Sequence, residues 1–154
     1  MANLLTMMEK NKIIPMATDH GGYAMKEYLK QKLEEAGYEI ADFGTFSEDS
    51  VDYPDFIHPL AKAVNDGKYI RGIIMCGSGN GAQITANKHQ NVRAGLCWNE
   101  EQTKLTRQHN DANIMSIPGR FIPFEQAWAM VQVFLNTEFE GGRHSRRVEK
   151  ISIH

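Results

Sequence analysis

Gly72-Ile73-Ile74-Met75-Cys76-Gly77-Ser78-Gly79-Asn80-Gly81 is the stretch on which the fold turns. Its first five residues are uncharged and mostly apolar, which suits a strand buried on both faces, as in a parallel sheet. Glycines at alternate positions then turn the chain tightly, and residues 80–88 read as the helix that follows. Outward from this unit the alternation repeats. On the N-terminal side, residues 13–18 read as a strand. Residues 23–36 read as a helix with Met25, Leu29 and Leu33 on one face and Gly37 as its stop. A short strand over 38–42 and a helix over 54–66 complete that half. On the C-terminal side, strands at 93–98 and 113–117 alternate with helices at 100–108 and 123–136, and a basic segment at 143–151 forms a last short helix. Such alternation predicts an α/β, doubly wound parallel sheet with helices on both faces. Pro15 lies inside the first strand, where it cannot donate a ladder hydrogen bond, so it predicts an edge position or a bulge.

The 154 residues fit one domain, read as residues 12–154 with residues 1–11 as an N-terminal extension. A hydrophobic fraction of 42% and a charged fraction of 23% exclude a disordered chain or a disulfide scaffold. Seventeen Lys and Arg oppose nineteen Asp and Glu, for a net charge of −2. With no global basic field, neither nucleic acid nor a membrane surface is expected as a partner. No apolar run approaches the roughly 18–20 residues of a membrane span. Residues 1–12 show no basic start, longer apolar stretch or small-residue cleavage site, so a secretory signal is not expected. Cys76 and Cys97 have no metal or redox spacing, so a cytoplasmic protein with reduced thiols is expected.

In doubly wound sheets ligands bind beyond the carboxyl ends of the strands. Asp19-His20-Gly21-Gly22 follows the first strand and the glycine loop follows the third. Pro118-Gly119-Arg120 follows the fifth, and Arg107-Gln108-His109-Asn110-Asp111 turns back toward it. The loop's N–H groups and the helix behind them suit an anion, although the loop is neither a Walker sequence nor a dinucleotide fingerprint. Cys76 stands where those groups would stabilise a thiolate, whereas Cys97 reads as a small buried hydrophobe. Arg143 and Arg147, four residues apart, project from one side of a helix and can grip one phosphate. The six histidines show no zinc-ligand spacing, so no metal is expected.

Asp19-His20-Gly21-Gly22, Asp52-Tyr53-Pro54, the loop from Cys76 to Gly81, Ala86-Asn87-Lys88, Arg107-Gln108-His109-Asn110-Asp111 and Gly141-Gly142-Arg143-His144 occur in that order. Together they resemble ribose-5-phosphate isomerase type B, in a family that includes galactose-6-phosphate isomerase subunits. The resemblance implies a Rossmann-like sheet of five parallel strands and a homodimer, or a dimer of dimers, with active sites shared between subunits. It also implies a phosphorylated sugar substrate and isomerisation without a cofactor. By motif position it makes Cys76 the catalytic base, and Ala82 stands where some members carry a glutamate instead. It makes His109 the ring opener with Asp19 nearby. Gly77, Ser78, Gly79 and Asn80, with Asn110, correspond to groups holding the enediolate oxygens, with Ser78 counted among the catalytic residues and Gly81 among those binding substrate. His20, Arg120, Arg143 and Arg147 correspond to phosphate ligands, and Tyr53 lines the site.

The chemistry suits these residue types. An aldose–ketose isomerase needs a base beside the carbonyl and donors for the enediolate oxygen, each donor contributing roughly 2.7–4 kcal/mol in other enzymes. Two alternatives remain open at this stage. One is the same reaction on a six-carbon sugar phosphate such as allose or galactose 6-phosphate. The other is a non-catalytic nucleotide- or flavin-binding module, with Glu100 placed for a ribose contact.

Overall fold

The computed structural model describes residues 2–153. In chain order the elements are α1 (Ala2–Lys12), β1 (Ile13–Thr18), a 3-10 turn (His20–Gly22), α2 (Tyr23–Glu35), β2 (Glu39–Asp42), α3 (Tyr53–Asn65), β3 (Gly72–Cys76), α4 (Asn80–Ala86), β4 (Ala94–Leu96), α5 (Glu100–Asn110), β5 (Ile114–Pro118), α6 (Phe124–Asn136) and α7 (Arg143–Glu149). The five strands form one all-parallel sheet in the order β2-β1-β3-β5-β4. The chain leaves β1 toward β2, then returns past β1 to β3 and continues the other way. That reversal opens a crevice at the carboxyl ends of β1 and β3, the usual ligand position in such sheets.

Strand side chains alternate between two cores. Met16, Ile73, Met75, Met115 and Ile117 face one side, where Leu29 and Leu33 of α2 and Met130, Val131 and Phe134 of α6 cover them. Ala17, Ile74, Cys76 and Ile114 face the other, against Ile57, Leu60, Ala61 and Val64 of α3 and Ala82 and Ala86 of α4. At roughly 1.5–3 kcal/mol for each fully buried large side chain, these faces hold the sheet between its helices. Among the described residues no helix is long and apolar enough to cross a membrane.

Pro15 corrects one expectation. β1 is an internal strand, and its registers to both neighbours are regular. The carbonyl of Met16 and the N–H of Thr18 bond toward the β2 side, so by alternation Pro15 faces β3. Pairing with β3 begins at Met16↔Ile73, one residue past the proline. The missing N–H therefore falls just outside the ladder. α1 extends from the same end of the sheet, tied down where Lys10 donates to the Gly67 carbonyl and Arg71 to that of Asn11.

Candidate active site

Beyond the carboxyl ends of β1 and β3, the backbone is held by short-range bonds. Asp19 caps the 3-10 turn, its Oδ1 accepting the Gly21 N–H at 2.8 Å, and its side chain is buried against the crevice floor. His20 receives the Val51 N–H on Nδ1 at 3.1 Å, which leaves Nε2 of the neutral ring as a donor. Cys76 ends β3 and is buried. Its carbonyl accepts from Gly119, and that of Gly77 accepts from Arg120, so the glycine loop and the loop after β5 are joined. Gly79 adopts φ +77°, and a Cβ there would meet the Pro118 backbone at 3.0 Å, so both conformation and space call for glycine. The ring of Tyr53 packs directly on Gly81, and the Arg120 guanidinium lies against Gly77. The buried Ser116 hydroxyl donates to the Gly79 carbonyl at 2.7 Å and fixes the loop from below.

The N–H groups of Gly77, Ser78 and Gly79 make no hydrogen bond within the chain among the described residues. A short run of free backbone donors beside a thiol is a ready hole for an anionic oxygen. α4 stops at Ala86, two residues short of the expected end, and Ala82 is buried in the core, so no carboxylate enters the loop from that helix. Cys97 differs from Cys76. Burial, opposed by hydrogen bonds with Thr103 and Thr106, pushes its thiol up to about 11, which suits an inert core residue.

A second group of residues gathers where α5 ends. The rings of His109 and His144 stack at 4.3 Å between centroids, 14° apart in plane. Glu140 Oε1 lies 3.8 Å from His109 Nε2 and 3.5 Å from His144 Nε2. The Glu140 N–H donates to the Gln108 carbonyl, and Gly141 and Gly142 take φ values of +68° and +56° to bring α7 back against α5. Burial, then the charges of His109 and Arg143, hold the His144 imidazole below its ordinary value, with Glu140 opposing them. Arg143 and Arg147 stand on the same α7, exposed and without a salt bridge among the described residues. Arg107 and Arg93 both bind Asp111, which caps α5 in the left-handed conformation at φ +48°.

Within one chain the structure keeps this second group apart from the first. His109, Asn110, Arg143 and Arg147 are not beside Asp19 and Cys76 within one chain. α5 runs antiparallel to the strands, so its C-terminal end lies at their amino ends. Ile114, which opens β5, pairs with Gly72, whereas Cys76 pairs with Pro118. Four steps of strand, about 13 Å, therefore separate the two groups along the sheet. The expected site residues fall into an upper half (Asp19, His20, Tyr53, Cys76 to Gly81, Arg120) and a lower half (His109, Asn110, Arg143, Arg147). Sequence reasoning also missed Glu140 and its contacts. Its four-residue spacing to His144 was legible, but not the approach of His109 from another element.

A groove of about 480 Å³ runs beside the edge strand β4, lined by Leu96, Trp98, Asn110, Ile151 and Ile153 among others. Trp98 and Ile153 of this lining are exposed.

Residues 14–151 match the model of a family described as Ribose/Galactose Isomerase. The chain is 39% identical over 141 residues to ribose-5-phosphate isomerase B of Escherichia coli, covering 92% of this chain and 95% of that protein. It is 40% identical over 140 residues to a putative sugar phosphate isomerase of Bacillus subtilis, covering 90% and 94%. Among solved structures it resembles a ribose 5-phosphate isomerase of Thermotoga maritima, with a TM-score of 0.89, 43% identity and coverage of 91% and 97%. It also resembles ribose-5-phosphate isomerase B of Mycoplasma genitalium with bound ribulose-5-phosphate, with a TM-score of 0.86, 35% identity and coverage of 90% and 93%. On matching sequence, sheet and motif order along nearly its whole length, this chain belongs to the ribose/galactose isomerase family.

Proposed function

We propose that this chain interconverts ribose 5-phosphate and ribulose 5-phosphate through an enediolate, in a site made from the upper half of one protomer and the lower half of its partner. The observation that carries this reading is the division itself. Thiol, free N–H donors and Asp19 lie at one end of the sheet, and the second histidine and both unpaired arginines lie about 13 Å away at the other. A two-fold axis across the strand direction sets two sheets antiparallel, so each upper half meets the other chain's lower half. The groove beside β4, which mixes polar and apolar side chains, offers a surface for that contact, because it reaches Asn110. Two free cysteines accord with a cytoplasmic setting.

In this reading His109, with Asp19, opens the furanose ring. The Cys76 thiolate takes the C2 proton of the open aldose and returns it to C1. The N–H groups of Gly77, Ser78 and Gly79, with Asn80, Gly81 and Asn110, hold the enediolate oxygens. His20 through Nε2, with Arg120, Arg143 and Arg147, grips the remote phosphate, whose binding energy orients the reacting carbons. Tyr53, seated on Gly81, closes the wall. A nucleotide-binding role finds no support in the relatives. Steady-state turnover of ribose 5-phosphate beside allose and galactose 6-phosphates tests the reading. Faster turnover of the pentose is expected, and a folded dimer inactive on ribose 5-phosphate overturns it.

A further inference from the structure

His109, Glu140 and His144 meet at one point of the lower half. Their three ligating atoms lie within 4.8 Å of one another, and no ion occupies them. The stacked rings turn their Nε2 edges to the same carboxylate oxygen. Two nitrogens on one tetrahedral zinc, each bonded at 2.0–2.1 Å, stand about 3.4 Å apart; because the stacked rings point their lone pairs side by side, the part-exposed His109 ring must turn and Glu140 shift outward for all three to ligate one ion. The supports are firm, because Glu140 is bonded through its backbone to the end of α5 and His144 to the carbonyl of Gly141. His144 forms the inner wall at 11% side-chain exposure, while His109 and Glu140 stand at the mouth at 39% and 49%. These are exposures of the single chain; in the proposed dimer an ion reaches the three residues through the crevice that admits substrate. Two imidazoles and one carboxylate favour a borderline cation over magnesium or calcium, and three ligands leave a fourth position for water.

We propose that His109, Glu140 and His144 form an inhibitory site for a divalent transition-metal ion of the zinc class. Binding of the ion stands on this geometry alone. Inhibition rests on the reading of His109 as the ring opener, since the nitrogen that ligates the metal is then withdrawn from proton transfer.

Chelator-treated full-length protein is titrated with zinc chloride by calorimetry in a non-coordinating buffer. One ion per chain is expected, and Glu140→Gln and His144→Gln each weaken the affinity by about tenfold or more, at least what loss of an outer-shell partner costs elsewhere. Cobalt substitution is expected to give a visible spectrum without the intense thiolate band. Circular dichroism checks folding, and if His144→Gln does not fold, the exposed Glu140→Gln carries the test. No zinc binding, affinity indifferent to both folded variants, or a thiolate spectrum overturns the site. Turnover of ribose 5-phosphate is followed separately, with and without zinc and then with chelator. Reversible zinc inhibition supports the full inference, and binding at these residues without inhibition overturns the inhibitory role. Zinc binding by a chain inactive on ribose 5-phosphate would instead sink the isomerase reading and leave the metal site standing.

Discussion

Two inactive variants mixed together should recover activity. Cys76→Ser breaks the upper half of the site and His109→Asn the lower. Proton transfer requires reacting atoms within about 3–3.5 Å, and one chain holds these groups about 13 Å apart along the strands, beyond the reach of either side chain. Each site must then draw Cys76 from one protomer and His109 from the other. In a heterodimer of the two variants, one site carries both lesions and the other carries neither. Random re-assortment makes half of the dimers mixed, each with one intact site of two, so activity should return to about one quarter of wild type.

The assay is ribose 5-phosphate turnover after equimolar variants are denatured together and refolded. Native mass spectrometry of differently tagged chains measures the mixed fraction. Activity that rises with this fraction toward one quarter supports the divided site. Were both groups drawn from one chain, every site in the mixed dimer would carry one lesion. A population that is half heterodimer, yet no more active than its parents, would refute the reasoning.

Arg143→Ala and Arg147→Ala should each raise KM about 10- to 150-fold with folding intact, because a charge-assisted phosphate contact contributes roughly 1.5–3 kcal/mol; inhibitor binding as tight as wild type would make α7 a solvated face. Cys76→Ser should lose most turnover while Cys97→Ser keeps it, and a fully active Cys76→Ser enzyme would remove the base from the mechanism. His109→Asn should still exchange a C1 hydrogen of ribulose 5-phosphate with deuterated water, read by proton NMR, because the ketose cannot close a five-membered ring and needs no opening. Asp42→Ala should destabilise the fold by about 3–5 kcal/mol near neutral pH, measured by urea unfolding, since it strips the fully buried Lys26 of its 2.6 Å partner. Burial raises the Asp42 carboxyl, but hydrogen bonds from Lys26, Gly44 and Lys30 hold it below its ordinary value. Its contribution is thus complete above the unfolded pKa and lost as pH falls through the folded one, so variant and wild type should converge in acid.

Much of the fold was legible because its signals are local. The uncharged runs from Ile13 to Thr18 and from Gly72 to Cys76 coincide with β1 and β3, and Met25, Leu29 and Leu33 are buried as their spacing predicts. Element ends were less legible, because they depend on partners elsewhere. The sequence predicts this helix to Lys88, yet Asn87 turns its side chain to both the N–H and the carbonyl of Ala94 at the start of β4. Pro15 misled for a related reason. A missing donor marks an edge only if it points into a ladder, and where the β1–β3 ladder begins is set by strand pairing.

The end of the sheet that carries His109 was also legible, although motif order alone hides it. In any parallel βαβ unit the helix returns antiparallel to the strands, so the residues closing the helix stand at the amino end of the next strand. Arg107 to Asp111 close α5 and precede Ile114, which opens β5. Their direction already assigned them to the end of the sheet opposite Cys76. Motif order along the chain brought these residues into one list, whereas the direction of each element divides that list in two. In the proposed function, symmetry between two chains rejoins the halves. A divided list of site residues in a parallel fold is therefore itself a structural argument for a second copy.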